Sequence, residues 1–325
     1  MKIALIAVLL ATVASAEPPK TARSEFALAE KAAEEKNTAA YLEHLQTAVA
    51  LDREATKGSF FQYHLARALA LSGKNAEALA TLTGMWSGDE GQMIAFAEHD
   101  PAFAKLRGTP GYAKVRTLFD ELEVEMLPAG GSVYEIRGAG CTLAASIGED
   151  GVLLVDSGYP GTARAVVRGL ATKQPAPRVR YLVNTHGHYD HVGANHDYAG
   201  GALIVAHPAA LEEMKAGSDY TKPFGVPPIP PAGRAKVLTD RRLSIPFNGE
   251  TVHVIAVPAH TPGDLVVWFE TSRVLHVGDD YFGADSAYLD PGSAPSAFFA
   301  ALREVLADVP DDAVVISGHA ARVPA

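Results

Sequence analysis

The 325-residue sequence predicts a mixed α/β domain that is preceded by a small all-α region. Two observations indicate this fold class. Residues 22–125 are rich in Ala, Leu and Glu with helical periodicity, whereas short β-branched runs separated by turn residues recur from residue 130 onward. The Pro128-Ala129-Gly130-Gly131 segment separates the two regions. The apolar fraction of 48% is sufficient for a substantial core.

The N-terminal residues have the features of a targeting segment. Lys2 supplies a positive charge, Ile3 to Val13 form an apolar run, and Ala14-Ser15-Ala16 offers a small-residue cleavage site. We therefore expect a signal peptide over residues 1–16, a periplasmic or secreted mature protein, and no membrane segment after cleavage. The run is too short for a stable membrane span, and an uncleaved anchor is the alternative.

The segment from Phe60 to Leu79 is typical of two helices around a glycine turn, with small and aromatic residues as in a tetratricopeptide-type pair. Thr38 to Leu51 fits the second helix of an earlier copy. Only about two copies fit residues 22–125, fewer than the three that a free-standing array needs. This helical domain is therefore expected to pack on the domain that follows, either as a support or as a site for a protein partner.

Residues 186–191, His-Gly-His-Tyr-Asp-His, follow the apolar strand-like run Val179–Val183. The motif holds four metal-type ligands: His186, His188, Asp190 and His191. Imidazole and carboxylate are typical ligands of catalytic zinc, and loops after buried strands have rigid supports. In an extended segment, His186, His188 and Asp190 share one face. A surface histidine run without metal is the alternative, but this density is unusual in a chain with 12 His.

The same pattern, an apolar run followed by a ligand-type side chain, recurs three times downstream. The residues concerned are His260, Asp279 and His319. If these strand ends meet at one edge, five His and two Asp converge there.

In this order and spacing, the H-x-H-x-D-H motif and the three later residues resemble the metallo-β-lactamase-fold superfamily over residues 130–325. The resemblance implies an αβ/βα four-layer sandwich of two sheets covered by helices. It also implies the full ligand set of glyoxalase II-like hydrolases. His186, His188 and His260 would hold one zinc. Asp190, His191 and His319 would hold a second, with Asp279 bridging the two and Asp280 as the fallback.

The resemblance implies a dinuclear zinc hydrolase that cleaves an ester, thioester, lactone or amide with metal-activated water. Asp190 would also contact the attacking water. Asp279 counts against classical β-lactamase activity, because those branches usually lack an Asp at the bridging position, but it does not exclude it. A mononuclear iron sulfur-oxygenase of the same fold is a second alternative. A binding or scaffold protein led by the helical domain is a third.

Several further residues are predicted around this site. Asp156 ends the strand-like run Gly151–Val155 and is expected to orient a ligand, with a simple turn as the alternative. Tyr189 and Asn195 lie beside the ligands in sequence and are expected to line the pocket. The Pro-rich segment Ser218–Asp240 is expected to lie over the pocket mouth.

The remaining features limit partners and roles. The net charge of −10 and the lack of a basic stripe argue against nucleic acid and leave a small-molecule substrate. The single cysteine, Cys141, forms no internal disulfide and is expected to act as a small buried hydrophobe. His207, His253 and His276 are expected in the core.

Overall fold

The computed structural model describes residues 20–86, 91–281 and 295–319. The expected signal peptide, residues 1–16, lies outside the described residues. The chain divides into two compact units, residues 1–56 and residues 57–325. None of the described helices is long and apolar enough to cross a membrane.

The described part of the first unit is a pair of helices, α1 (Ala22–Glu34) and α2 (Thr38–Leu51). A capping box starts α1, because Thr21 Oγ1 accepts from the Ser24 amide and Ser24 Oγ accepts from the Thr21 amide. The two helices pack together. Helix α2 has the bounds that the sequence predicted for it.

The second unit begins with a second helix pair, α3 (Ser59–Leu71) and α4 (Asn75–Met85). The turn between them includes Gly73 at a φ of +76°, a conformation that glycine adopts without strain. A 3₁₀ helix (Gly91–Glu98) and α5 (Pro110–Glu121) follow. The helices around a glycine turn are thus confirmed, whereas the tetratricopeptide resemblance stays a prediction.

Seven strands form the first sheet, in the spatial order of their sequence. They are β1 (Glu125–Gly130), β2 (Val133–Arg137), β3 (Leu143–Gly148), β4 (Gly151–Val155), β5 (Val179–Val183), β6 (Leu203–Ala206) and β7 (Val237–Leu238). Strands β1 to β4 pair antiparallel, and β4 to β7 pair in parallel. Every residue of β4 is buried, which explains its uninterrupted apolar sequence.

Five strands form the second sheet, in the order β12-β11-β10-β9-β8. They are β8 (Arg242–Phe247), β9 (Glu250–Ala256), β10 (Leu265–Phe269), β11 (Val274–His276) and β12 (Val314–Ile316). Within this second sheet, β11 and β12 pair in parallel and the other neighbours pair antiparallel. Strands β9, β11 and β12 therefore run in one direction, and their carboxyl ends lie at the same edge of the sheet.

The two sheets pack face to face around one apolar core that includes Leu153 and Val183 of the first sheet and Val254 and Phe269 of the second. Helix α6 (Ala163–Ala171) contacts β1 of the first sheet. Helix α10 (Pro295–Leu306) covers the outer face of the second sheet through Val305, which packs with Trp268 and Leu275. The predicted αβ/βα sandwich is confirmed.

The three histidines that were expected in the core have different environments. His276 is fully buried and its Nε2 lies 3.0 Å from the Thr142 carbonyl oxygen, as predicted. The prediction was wrong for His253, because alternation along β9 turns it away from the core to a half-buried position near Ser244. It was also wrong for His207, whose Nδ1 accepts from the Ala209 amide at the start of α9 (Pro208–Ala216).

An aromatic cluster joins the helices of the second unit to the sandwich. Phe96 is fully buried on the 3₁₀ helix. Its ring centroid lies 5.6–5.8 Å from those of Tyr63, Tyr159, Tyr189 and Phe224. These partners come from a helix and from three loops or turns of the sandwich, so Phe96 holds separate segments together.

We expect Phe96→Ala to lower the free energy of unfolding by about 3–5 kcal/mol, because a fully buried aromatic ring is replaced by a cavity. Denaturant titration followed by circular dichroism measures this change. Phe299, which is 64% exposed on α10, is the matched control, and Phe299→Ala is expected to change stability by less than about 0.5 kcal/mol. Equal losses for the two variants would contradict a central role for Phe96.

Candidate metal centre

The ligand-type residues predicted from the sequence lie just beyond the carboxyl ends of strands. His186 follows β5, His260 follows β9, Asp279 follows β11 and His319 follows β12. Because these ends meet at one edge of the sandwich, the structure brings together all seven residues of the predicted ligand set.

The H-x-H-x-D-H motif combines an extended segment with a single helical turn. His188 is extended (φ −64°, ψ 147°) and precedes α7 (Tyr189–Val192). The His191 and Val192 amides both donate to the His188 carbonyl oxygen at 3.0 Å. The expectation of an extended segment up to Asp190 was therefore wrong. The helical turn brings both Asp190 and His191 to the centre.

The first group consists of His186, His188, His260 and Asp279, all buried. Their ligand atoms lie within 4.8 Å of one another. His260 Nε2 is 3.1 Å from His188 Nδ1, and both His186 Nε2 and His260 Nε2 are 3.8 Å from Asp279 Oδ2.

The second group consists of Asp190, His191 and His319. Asp190 Oδ2 lies 3.3 Å from His191 Nε2 and 3.1 Å from His319 Nε2. Asp279 reaches this group too, because its Oδ1 is 3.3 Å from His191 Nε2 and its Oδ2 is 3.3 Å from His319 Nε2. One carboxylate thus stands between two sets of histidines.

The burial and pairing of these side chains fit a bound metal. Burial holds the pKa of His186 well below its usual range, so the ring presents a neutral nitrogen. Burial alone would raise the pKa of Asp190 and Asp279, but His191 and His319 outweigh it and keep both carboxyls ionised. In the described part of the chain, His186 Nε2 and Asp279 Oδ1 are buried without a hydrogen-bond partner, which a metal ion would supply.

Asp156, which the sequence placed beside the ligands, contacts both His191 and Thr185. Its Oδ2 lies 2.8 Å from His191 Nδ1. The carboxylate also accepts from the Thr185 amide at 2.7 Å and from Thr185 Oγ1 at 2.8 Å. Thr185 Oγ1 is in turn 3.0 Å from His186 Nδ1. Sequence analysis missed Thr185, although its position directly before His186 was the available signal.

Asp280 belongs to neither of the two ligand groups. Its Oδ1 accepts from the His260 amide at 3.3 Å. Burial, and then the charge of Asp264, raise the pKa of Asp280 well above its usual range, which favours the uncharged form of this carboxyl. Asp264 in turn accepts from the Ala259 and Thr261 amides. Of the two adjacent carboxylates, Asp279 is therefore the one that faces the centre.

Two glycines allow the close approach of these loops. A side chain at Gly318 would collide with the Asp279 carboxylate, and Gly278 has a φ of +54° with Thr185 directly beside it. An L-residue at Gly318 would displace Asp279, and one at Gly278 would strain the backbone and press on Thr185.

The centre opens into a cleft of about 1010 Å³ that is lined by His188, Asp190, His260 and Asp279 among others. The Pro-rich segment reaches this cleft, as expected, through Asp219, Tyr220 and Lys222. Tyr220 Oη donates to Asp190 Oδ1 at 3.0 Å and accepts from the Tyr189 amide at 3.1 Å. Burial raises the pKa of Tyr220 well above its usual range, so it remains a hydroxyl donor.

Tyr189 and Asn195, which the sequence predicted to line the pocket, are not among the described residues that line this cleft. The Tyr189 ring packs on Phe96 in the aromatic cluster rather than on the cleft. Asn195 is fully buried, where it exchanges hydrogen bonds with Asn184 and donates to the Gly233 carbonyl oxygen. Cys141 is buried as expected, and burial raises its pKa to about 11.

Comparison with known proteins assigns the family. A family model described as the metallo-beta-lactamase superfamily matches residues 134–319, more than half of the chain, and this span includes both ligand groups. The chain belongs to the metallo-β-lactamase superfamily. The metallo-beta-lactamase from Pontibacter korlensis shares this fold, with a TM-score of 0.50 and 16% identity over 62% of this chain and 94% of that one.

Two curated proteins are similar to part of the chain. The subunit alpha of 2,4-dinitroanisole O-demethylase from a Nocardioides species is 29% identical over 159 residues, which are 48% of this chain and 45% of that protein. Hydroxyacylglutathione hydrolase from Rhodospirillum rubrum is 31% identical over 143 residues, which are 43% of this chain and 48% of that protein. The chain thus spans about half the length of the curated relatives it matches.

Proposed function

We propose that the chain is a dinuclear metal-dependent hydrolase that cleaves an ester, thioester, lactone or amide, with two zinc ions as its cofactors. The observation that carries this proposal is the position of the Asp279 carboxylate, within 3.3–3.8 Å of histidines from both groups. A carboxylate that faces two sets of histidines suits a site for a pair of metal ions.

In this proposal, His186, His188 and His260 hold one ion, Asp190, His191 and His319 hold the other, and Asp279 contacts both. When bound, the pair would supply a Lewis acid and lower the pKa of a water toward neutrality. Imidazole and carboxylate with no thiolate form a donor set that suits zinc and also accepts iron.

The surrounding residues fix the orientation of the ligands. Asp156 holds His191 through Nδ1, which leaves Nε2 directed at the centre. Thr185 connects the same carboxylate to His186. Tyr220 donates to Asp190 Oδ1, so that Oδ2 remains directed at His191 and His319. Asp190 would also accept a hydrogen bond from the attacking water.

Similarity to hydroxyacylglutathione hydrolases supports an acyl compound as the substrate class, although the match covers about half of those proteins. Asp279 also makes a β-lactamase less favoured than a glyoxalase II-like hydrolase, as the sequence indicated.

Metal analysis of the purified chain, combined with hydrolysis assays, tests the proposal. We expect two zinc ions per chain, and hydrolysis of an activated ester or lactone that a chelator abolishes and added zinc restores. One iron per chain with sulfur oxidation would indicate an oxygenase instead. A metal-free protein that hydrolyses no ester, thioester, lactone or amide would indicate a binding protein.

A further inference from the structure

The cleft beside the metal centre has an apolar wall that comes partly from the helices before the sandwich. Phe60 of α3 and Met93 of the 3₁₀ helix line it, together with Pro262 from the loop that carries His260. Phe60 is 39% exposed, and its ring is held by His64 at 4.8 Å and Phe224 at 6.3 Å between centroids. An exposed aromatic ring at the mouth of a cleft of this size suits contact with a bulky apolar ligand.

The charged side chains of the cleft are mainly acidic. Apart from the metal ligands, the described residues of the lining include Glu212, Glu213 and Asp219, but only one cation, Lys222. Lys222 Nζ pairs with the Asp219 carboxylate. Glu213 Oε1 lies 3.8 Å from His188 Nε2, near the centre itself.

We infer that this cleft selects a substrate that is bulky and apolar and carries no negative charge, an inference that rests on the proposed hydrolase function. Burial of an uncharged, apolar group against this wall makes the free energy of binding more favourable. Away from the metal ions, an anionic group would meet Glu213 near the centre, while the lining's described cation, Lys222, is paired with Asp219; like charges in a cleft oppose binding. The net charge of −10 adds to this effect at longer range.

This substrate class differs from that of the hydroxyacylglutathione hydrolases that the chain resembles. A glutathione thioester carries free carboxylates, and the described lining offers no unpaired Arg or Lys to receive them. Phe60 and Met93 precede the residues that the family model matches, so the helices of residues 57–121 determine specificity in this chain.

Three esters that share the same kind of scissile bond test the charge preference of the zinc-loaded full chain. They are phenyl hexanoate, phenyl 6-sulfohexanoate and 4-sulfophenyl hexanoate. The sulfonate is anionic at every working pH and is a weak metal ligand, so it reports charge rather than coordination. We expect kcat/KM for phenyl hexanoate to exceed that of each sulfonated ester by at least about tenfold.

Binding of unreactive ethers provides a readout that does not depend on turnover. We expect 6-phenoxyhexan-1-ol to bind more tightly than 6-phenoxyhexane-1-sulfonate by at least about tenfold in calorimetry. Phe60→Ala should weaken the binding of the alcohol by about fivefold to tenfold. Leu71→Ala is the matched control, because Leu71 is 44% exposed on the same helix but does not line the cleft, and it should leave binding unchanged.

The outcomes separate the two proposals. Equal or tighter binding of the sulfonate, or equal effects of Phe60→Ala and Leu71→Ala, would overturn the inference whether or not the chain is a hydrolase. Preferred binding of the alcohol with no turnover of any ester, thioester, lactone or amide would support the cleft assignment and refute the hydrolase function.

Discussion

Replacing His188 with Ala is expected to remove most of the bound metal and to lower turnover by more than about 100-fold, since loss of an outer-shell partner alone typically costs about 10–100-fold. His188 is buried, and its Nδ1 lies 3.1 Å from His260 Nε2. The substitution would leave a first group of two histidines and a shared carboxylate. Zinc content per chain, measured beside kcat/KM, checks both effects.

His253 provides the matched control for this substitution. It is a half-buried histidine on β9 whose Nδ1 lies 2.9 Å from Ser244 Oγ, and it does not line the cleft. His253→Ala should retain two zinc ions and wild-type turnover. A His188→Ala protein with normal zinc content and normal turnover would refute the assignment of His188 as a ligand.

Much of the centre could be predicted because its signals are local in the sequence. Each ligand-type residue follows an apolar run directly, so the strand and the side chain at its end were recognisable together. Strand direction then determined the rest, because β9, β11 and β12 run the same way and deliver His260, Asp279 and His319 to one edge.

Proximity in sequence failed for the residues beside the ligands. Tyr189 lies between His188 and Asp190, but the chain forms a helical turn there, and successive residues of a helix point about 100° apart. The turn that directs Asp190 to the centre therefore directs Tyr189 onto Phe96.

The contacts that shape the cleft, including its apolar wall, had no local signal in the sequence. Tyr220 meets Asp190 across 30 residues, and Phe60 meets Phe224 across a far longer span. Such contacts depend on how the Pro-rich segment and α3 pack, and neither periodicity nor spacing encodes that packing. From the sequence, the helices were expected to be a support or a site for a protein partner, and the structure adds Phe60 and Met93 to the cleft.

The second large effect is expected for a substitution of Asp279, and the adjacent Asp280 provides the matched control. Asp279→Asn is expected to lower turnover by about 100-fold and to reduce zinc below two per chain. The Asp279 carboxylate contacts His191 and His319 at 3.3 Å and is held ionised among them. An amide of the same shape keeps one oxygen but loses the charge that would hold two cations close together.

Asp280→Asn should have a much smaller effect, on the order of a fewfold, because Asp280 belongs to neither ligand group. Burial and Asp264 raise its pKa well above the usual range, and a neutral amide resembles a neutral carboxyl in size and polarity. Its contact with the His260 amide is retained when the Asn oxygen accepts from that nitrogen. Zinc content, kcat and the circular dichroism spectrum of both variants distinguish the roles. A larger loss in Asp280→Asn than in Asp279→Asn would transfer the bridge to Asp280, and equal losses would indicate that neither carboxylate contacts both metals.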